Sequence, residues 1–305
     1  MTIVSWLKRN VRRASAKVAS DLPLFADPPG FPYGHFYSPL VDIAQVTADA
    51  ARIWRSDAPF LGIDLNEQSH QELLQQVFPG FLKDYDYPDE LEETPDLNRF
   101  YSQNSQFSWL DPRVLFAMLR HLRPRRIIEV GSGFSSLLTA DINNRFLDNS
   151  CHFTCIEPYP REFLQKPLAG LNELLVQKVE DVPLDYFASL QAGDVLFIDS
   201  SHVSKTGSDV NYLFFEILPR LQPGVYIHIH DIFFPHDYPR EWVIDDFRSW
   251  NEQYVLRALL MYSSAFRVVF GSYHAFLKYP QLVEAALGLE SGHGFAGSSL
   301  WIQRQ

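Results

Sequence analysis

Residues 127–136 read IIEVGSGFSS, and this stretch decides the fold. The apolar run Ile127–Val130 predicts a short buried strand, and the glycine-rich turn after it predicts the start of a helix. Gly131 and Gly133 let the backbone turn tightly and approach a ligand closely. In an open α/β sheet, ligands bind beyond the carboxyl ends of the strands, so this turn is the first candidate site.

Downstream, apolar runs bounded by turn residues alternate with stretches of helical spacing, such as Leu138, Ile142 and Phe146. Short and almost continuous apolar strands are typical of a parallel sheet that is buried on both faces. Strand–helix alternation favours right-handed βαβ units and therefore a Rossmann-like, doubly wound α/β fold. The further predicted strands are Phe153–Ile156, Leu174–Val176, Val195–Ile198, Val225–Ile229, Phe266–Phe270 and Ser298–Ile302.

The regular pattern begins at Asp111, which we interpret as an N-cap because Pro112 follows at the first helical position. Residues 20–108 are rich in proline, aromatic and acidic residues and show little periodicity. We therefore predict an irregular and helical N-terminal accessory segment, residues 1–108, and a ligand-binding domain, residues 109–305. For the basic residues 1–20, a solvated amphipathic helix is favoured over contact with an anionic membrane surface.

The composition excludes several classes of protein. The chain has 305 residues and a formal net charge of −11, and an acidic surface repels phosphate backbones, so nucleic acid is not an expected partner. The sequence contains no run of about 18 apolar residues, so no transmembrane helix is predicted. Cys151 and Cys155 are expected to be buried free thiols, which fits a cytoplasmic protein.

Acidic residues near the glycine turn indicate a cationic ligand rather than a pyrophosphate. Glu129 lies two residues before the first glycine, where a carboxylate suits an ammonium or sulfonium group. Ser136 stands where the dinucleotide fingerprint has its third glycine. Glu157 ends the second strand and can accept hydrogen bonds from both ribose hydroxyls. An acid of the pair Glu180-Asp181 either faces an adenine amino group or caps the next helix.

A second group of ionisable residues follows the fourth and fifth predicted strands. The strand ends place Asp199, His202, His230 and Asp231 at the same edge of the sheet as the glycine turn, so these side chains are expected to converge. Asp199 and Asp231 could bind Mg²⁺, because carboxylate oxygens suit that ion. Alternatively, His202 or His230 could act as a general base, which contributes about 10²–10⁴ in rate.

Together these motifs resemble the class I S-adenosylmethionine-dependent methyltransferases. Within them, GSGFSS (131–136), FIDSSH (197–202) and PGVYIHIHD (223–231) are similar to the subgroup of macrocin O-methyltransferase and cephalosporin-hydroxylase-like proteins. The resemblance covers about residues 100–305 and implies a seven-stranded, mostly parallel sheet that ends in a reversed hairpin. It implies that S-adenosylmethionine binds at Glu129, Gly131, Ser132, Gly133, Ser135, Ser136, Glu157, Asp181 and Asp199.

The resemblance also implies that acids after strands four and five bind Mg²⁺ and the acceptor hydroxyls in metal-dependent relatives. Asp199 and Asp231 match those positions. This chain departs from the pattern at Ser200, where relatives often have glycine, and at His230, where metal users often have a second acid. A metal-free histidine base, His202 or His230, is therefore an alternative to Mg²⁺.

We predict methyl transfer from S-adenosylmethionine to a hydroxyl of a small molecule or sugar, with Asp199, His202 and His230 as the catalytic residues. One alternative is an NAD-dependent oxidoreductase on a similar sheet, and another is a non-catalytic binding module that resembles a methyltransferase. A homo-oligomer is compatible with this sequence. The motifs indicate the cofactor far more specifically than the acceptor.

Overall fold

The structure is a computed structural model that describes residues 30–57, 59–90, 99–289 and 297–305. Two compact units divide the chain, one from residues up to 58 with 236–249, and one from residues 59–235 with 250–305. Described residues between 59 and 108 therefore belong to the same unit as the sheet. The functional division at residues 108 and 109 stays a prediction, and the helix predicted in residues 1–20 lies outside the described residues.

The larger unit is built around a sheet of seven strands in the order β3-β2-β1-β4-β5-β7-β6. The first five strands pair in parallel, and β7 runs antiparallel between β5 and β6. This arrangement confirms the predicted doubly wound sheet and its reversed final hairpin. The strands are Arg126–Val130 (β1), His152–Ile156 (β2), Glu173–Leu175 (β3), Val195–Ile198 (β4), Tyr226–Ile229 (β5), Phe266–Gly271 (β6) and Leu300–Arg304 (β7).

Helices cover the sheet, and several continue into a π or 3₁₀ turn, as at Leu73–Val77 and Leu213–Ile217. None in the described part of the chain combines the length and apolar character that a membrane crossing needs. The α-helices of the described residues are Ile43–Ala48 (α1), Ala50–Ile53 (α2), Glu67–Glu72 (α3), Phe78–Leu82 (α4), Leu110–Leu122 (α5), Phe134–Phe146 (α6), Leu184–Ala188 (α7), Asp209–Tyr212 (α8), Arg240–Ile244 (α9), Glu252–Leu260 (α10), Ser272–Lys278 (α11) and Pro280–Leu287 (α12).

The smaller unit holds α1, α2 and α9. Asp42 begins α1, because its carboxylate accepts hydrogen bonds from the backbone N–H groups of Ala44 and Gln45. The indole N–H of Trp54 donates to the Tyr238 carbonyl at 2.7 Å, which ties the two chain segments of this unit together.

Alternation along the strands divides the core of the larger unit into two layers. Ile127 and Phe197 face one layer, which they share with α5 and α6. Ile128 and Ile198 face the other layer, where Leu213 and Leu256 also pack. Because both faces are covered, the strands need apolar residues on both sides, and this is why they appear as continuous apolar runs in the sequence.

Strand register brings the candidate site residues to one edge of the sheet. Beyond the carboxyl ends, Gly131 N–H donates to the Ile156 carbonyl at 3.0 Å, and Asp199 N–H donates to the Val130 carbonyl at 2.9 Å. His230 N–H donates to the Ile198 carbonyl at 2.9 Å. The residues that directly follow β1, β4 and β5, namely Gly131, Asp199 and His230, are therefore held side by side at one edge of the sheet. This is the edge at which the sequence predicts the candidate site.

One local prediction is wrong. Asp111 does not cap α5, because the helix begins at Leu110 with Trp109 as the N-cap and no side-chain cap. Its carboxylate is instead buried and accepts hydrogen bonds from the backbone N–H groups of Ser298 and Ser299, at 2.8 and 3.0 Å. Asp111 thus joins the start of α5 to the chain that leads into β7.

Candidate active site

The turn after β1 is fixed by close backbone approach. Gly131 has a φ of +79°, and a Cβ at this position would lie 1.7 Å from the Asp199 carbonyl oxygen. Any other residue would therefore both strain the backbone and collide with the turn after β4. Gly133 is the N-cap of α6, and its N–H donates to the Ser136 hydroxyl at 3.0 Å. The turn is consequently compact, and it touches the segment that carries Asp199.

Glu129 lies beneath this turn. Its side chain is almost fully buried, and it accepts a short hydrogen bond from the Ser135 hydroxyl and a contact from Cys155 Sγ at 3.6 Å. Burial raises the pKa of the Glu129 carboxyl to about 8, against the hydrogen bonds from Ser135 and Ser136, which lower it. The Glu129 carboxyl therefore supports the turn from below, and Ser135 and Ser136 face it.

A cavity of about 420 Å³ opens at the carboxyl ends of β1, β2 and β4. Glu157 forms part of its wall, where the carboxylate accepts hydrogen bonds from the N–H of Ser132 at 3.1 Å and the N–H of Tyr159 at 2.8 Å. The lining residues are Val130, Gly131, Ile156, Glu157, Pro158, Tyr159, Lys178, Val179, Glu180, Asp199, Ser200, Ser201, Lys205, Gly207, Ser208 and Asp209.

The cavity separates the predicted cofactor residues into groups. Gly131, Glu157 and Asp199 line it, and Ser132 contributes through its N–H bond to Glu157. Asp181 is exposed and does not line the cavity, whereas its half-buried neighbour Glu180 does. Both residues belong to the 3₁₀ turn Val179–Asp181, in which Val179 is buried and also lines the cavity. Glu180 is therefore the better candidate for the adenine contact.

Asp199 also belongs to a buried histidine–carboxylate cluster, which we define as Asp199, His202, His230 and Asp231. His202 Nε2 lies 3.3 Å from Asp199 Oδ1 and 3.5 Å from Asp231 Oδ2. His230 Nδ1 lies 3.4 Å from Asp231 Oδ1 and 3.7 Å from Asp199 Oδ1. The predicted convergence after β4 and β5 is thus present in the structure. The side chain of Asp199 is 29% exposed, against 5–10% for the other three, so Asp199 links the cluster to the cavity.

Two further carboxylates hold the cluster from behind, and the sequence analysis missed both in this role. His202 Nδ1 contacts Glu252 Oε2 at 2.8 Å, and His230 Nε2 contacts Asp111 Oδ2 at 3.3 Å. Glu252 comes from the first position of α10, and its N–H donates to the His202 carbonyl at 3.2 Å. No local sequence signal joins these pairs, because each is formed by segments that are far apart along the chain.

The carboxylates control the charge of both histidines. Burial lowers the pKa of His202, but its hydrogen bonds to Asp199 and Glu252 outweigh burial and raise that pKa to about 10. Burial likewise lowers the pKa of His230, and the charges of Asp231 and Asp199 raise it well above its ordinary value. In this state both imidazoles are cations that are held between carboxylates.

Backbone strain accompanies the cluster. His202 and Asp231 have φ values of +60° and +58°, a left-handed conformation that side chains other than glycine rarely adopt. Such residues cost about 1–3 kcal/mol each and persist where the surroundings over-determine them. Ser298 is part of those surroundings, since its hydroxyl donates to Asp231 Oδ1 at 2.8 Å.

The cluster has the atoms that a divalent cation would need. One ligand atom each from Asp199, His230 and Asp231 lies within 4.8 Å of the others. Within the described residues, neither ring nitrogen of His230 has a hydrogen-bond partner, although the side chain is buried. Carboxylate oxygens and an imidazole nitrogen without an aligned hydrogen bond therefore fit a metal ion.

Comparison with known proteins identifies the kind of domain. Residues 128–232 match the family model described as a methyltransferase domain. A relative from Archaeoglobus fulgidus, described as an uncharacterized protein, is 39% identical over 168 residues, which cover 53% of this chain and 74% of the relative. The matched family region runs from β1 to just beyond β5 and therefore contains both the glycine turn and the cluster.

Two solved structures are similar at low identity. An O-methyltransferase from Bacillus cereus in complex with SAH is 15% identical, covers 87% of this chain and 100% of its own, and has a TM-score of 0.38. A 16S rRNA (adenine(1408)-N(1))-methyltransferase from Catenulisporales acidiphilia is 17% identical, covers 65% of this chain and 94% of its own, and has a TM-score of 0.31.

Proposed function

Because the chain belongs to the class I S-adenosylmethionine-dependent methyltransferases, we propose that it methylates a hydroxyl group of a small molecule or sugar. The observation that carries this proposal is the position of Asp199. Its carboxylate lines the cavity beside Gly131 and lies 3.3 Å from His202 in the cluster. A methyl donor in the cavity and a proton-accepting group in the cluster would thus meet at one residue.

The cavity suits the cofactor on chemical grounds. Glu157 directly follows β2 and presents a carboxylate that two ribose hydroxyls can share in place of its present N–H donors. Tyr159 is 81% exposed at the cavity edge, so its ring is available to pack against a base. In this proposal Glu180 takes the adenine role that the sequence analysis gave to Asp181.

Glu129 then has a supporting role. Since its carboxyl is buried under the turn and bonded to Ser135, it positions the backbone of residues 131–133 instead of contacting the methionine ammonium group. Ser136 holds the same turn through Gly133 N–H. These side chains shape the cofactor site through the backbone.

The reaction is a direct displacement. The acceptor oxygen forms a bond to the methyl carbon, the carbon–sulfur bond breaks, and its electron pair stays on sulfur as S-adenosylhomocysteine leaves. The hydroxyl proton passes to the carboxylate of Asp199, because Asp199 lines the cavity, whereas His202 and His230, the bases that the sequence predicts, are already protonated. Positioning of the reacting groups can supply about 7–11 kcal/mol of such a barrier. A cation at Asp199 and Asp231, Mg²⁺ in the sequence prediction, would lower the pKa of a bound hydroxyl instead.

Calorimetric titration with S-adenosylmethionine and with S-adenosylhomocysteine tests the first step. We expect micromolar binding of both, followed by transfer of a labelled methyl group to members of a panel of hydroxyl compounds. Failure of both ligands to bind would overturn the proposal. Binding without transfer to any hydroxyl, amine or thiol acceptor would favour a non-catalytic module, and transfer to amines alone would refute O-methylation.

A further inference from the structure

Each histidine of the cluster contacts an outer carboxylate through one ring nitrogen and faces the centre of the cluster with the other. Glu252 contacts Nδ1 of His202, and Asp111 contacts Nε2 of His230. The remaining nitrogens, Nε2 of His202 and Nδ1 of His230, both face the carboxylates of Asp199 and Asp231. A carboxylate behind a histidine fixes its tautomer and ring orientation, and this arrangement recurs behind histidines that bind metals.

These inward contacts join two imidazole nitrogens to three oxygens of the Asp199 and Asp231 carboxylates. We propose that Asp199, His202, His230 and Asp231 bind a divalent first-row transition metal ion, such as Mn²⁺, Fe²⁺, Co²⁺ or Zn²⁺, in preference to Mg²⁺. Imidazole suits these ions, whereas Mg²⁺ prefers oxygen ligands and keeps much of its water. The presence of His230 beside Asp231, instead of a second acid, is what changes the selectivity.

Burial supports a metal site over an open proton-transfer site. His202 and His230 are each about 5% exposed, and neither lines the cavity, so neither imidazole is presented directly to a substrate there. Asp199 alone among the four ligands is part of the cavity wall. A metal ion held by this set would reach the acceptor from the side of Asp199, and the histidines would serve as ligands instead of bases.

The alternative is a metal-free ionic network in which the two imidazolium groups balance the surrounding carboxylates. In that network His230 is poorly satisfied, because its ring nitrogens lie 3.3 Å from Asp111 Oδ2 and 3.4 Å from Asp231 Oδ1 without the alignment of a hydrogen bond. A bound ion would give His230 Nδ1 a partner.

This inference deepens the proposed function, on which its catalytic consequence rests, but metal binding can be measured without turnover. The protein is treated with a chelator, dialysed, and titrated with Mn²⁺, Co²⁺ and Mg²⁺ by calorimetry. We expect one Mn²⁺ or Co²⁺ per chain and at least about tenfold weaker binding of Mg²⁺. The visible spectrum of bound Co²⁺ reports directly on the nitrogen ligands.

Variants locate the site. His230→Ala and Asp231→Asn should weaken Mn²⁺ binding strongly and change the Co²⁺ spectrum, and Glu252→Gln, a positioning variant, should weaken it about 10–100-fold. Asp181→Asn removes an exposed carboxylate outside the cluster and is the matched control, with unchanged metal affinity. Thermal unfolding of each variant identifies any that fail to fold, and the Co²⁺ spectrum of the remaining ones decides the ligands.

Two outcomes would overturn the metal site, and they are separable from failure of the proposed function. Absence of Mn²⁺ and Co²⁺ binding by the wild type, with S-adenosylmethionine still bound, would leave the methyltransferase proposal and refute the metal. Equal or tighter binding of Mg²⁺ would refute the selectivity. Metal binding without any S-adenosylmethionine binding would instead leave the metal site and refute the proposed function.

Discussion

The glycine turn and the histidine–carboxylate cluster meet at Asp199, yet they are built in different ways. The turn, with Glu129 beneath it and Glu157 beside it, comes from the ends of two adjacent parallel strands. The cluster draws on the ends of β4 and β5, and also on the starts of α5 and α10 and on Ser298. The turn is thus a local structure, whereas the cluster depends on the packing of the whole larger unit.

This difference predicts how each region responds to substitution. A local turn that binds a cofactor should lose affinity when one contact is removed, with little effect on the acceptor chemistry. A buried cluster should lose turnover when its accessible member is removed, because the remaining buried groups cannot reach the acceptor. Asp199, which belongs to both regions, should show which of the two effects is larger.

Asp199→Ala should give the largest effect on activity. The substitution removes the carboxylate that joins the cavity to the cluster, so we expect kcat to fall by about 10²–10⁴, the usual contribution of proton transfer by a positioned group. The dissociation constant of S-adenosylmethionine should change far less, because Glu157 and the backbone of the turn remain. Steady-state methyl transfer and calorimetry on the same preparation measure the two quantities.

The same experiment can contradict the proposed role. Unchanged kcat in a folded Asp199→Ala variant would remove Asp199 from the reaction. A loss of cofactor affinity with kcat unchanged at saturating cofactor would show that Asp199 serves the cavity alone. A thermal unfolding curve close to that of the wild type is the required control.

The fold was predictable because its signal is local. Each predicted strand overlaps an observed one, since a strand buried on both faces must be apolar along its length, and Val195–Ile198 matches β4 at both ends. The reversed final hairpin is implied by the family resemblance, whereas the strand order β3-β2-β1-β4-β5-β7-β6 is seen only in the structure. The positions of Asp199, His202, His230 and Asp231 were predictable for the same reason, because strand ends meet at one edge of the sheet.

The rest of the site depends on contacts that the sequence does not show. Asp111 has the position of an N-cap in the sequence, but the structure uses its carboxylate to hold Ser298 and Ser299, which lie far along the chain. Glu252 could be recognised only once α10 was placed beneath His202. The sequence predicts Glu129 at the ligand, but it does not show the hydrogen bond that the Ser135 hydroxyl donates to the Glu129 carboxylate.

Glu157→Ala should give the next largest effect, and it should change cofactor binding in the cavity without changing the cluster. Hydrogen bonds to a charged group contribute about 1.5–3 kcal/mol, so losing the ribose contact should weaken S-adenosylmethionine binding about 10–150-fold. Calorimetry measures this change, and metal binding by the cluster should stay as in the wild type.

Asp181→Asn is the matched control for Glu157→Ala, since it removes another acid near the cavity that does not line it. Its cofactor affinity should equal that of the wild type. If Asp181→Asn weakens binding and Glu157→Ala does not, the cofactor lies differently in the cavity from the orientation proposed here.

Glu129→Gln should give the smallest effect, and it tests the protonation state of the carboxyl that lies beneath the glycine turn. Burial raises the folded-state pKa of Glu129 to about 8 from an ordinary value of 4.5. Below pH 4.5 both the folded and the unfolded chain hold this proton, so the group adds no pH dependence there. Between pH 4.5 and 8 the folded chain keeps a proton that the unfolded chain has lost. The free energy of unfolding must therefore fall as pH rises through this window, by at most about 1.4 kcal/mol per pH unit.

Glutamine has the shape of a protonated glutamate and cannot ionise, so Glu129→Gln should lack this fall in stability while binding S-adenosylmethionine about as well as the wild type at pH 7. Urea unfolding of both proteins at pH 5, 6.5 and 8 measures the difference, which should grow in favour of the variant as pH rises. Parallel stability profiles would show that Glu129 is ionised in the folded protein. A large loss of cofactor affinity in the variant would then return its carboxylate to direct contact with the cationic ligand.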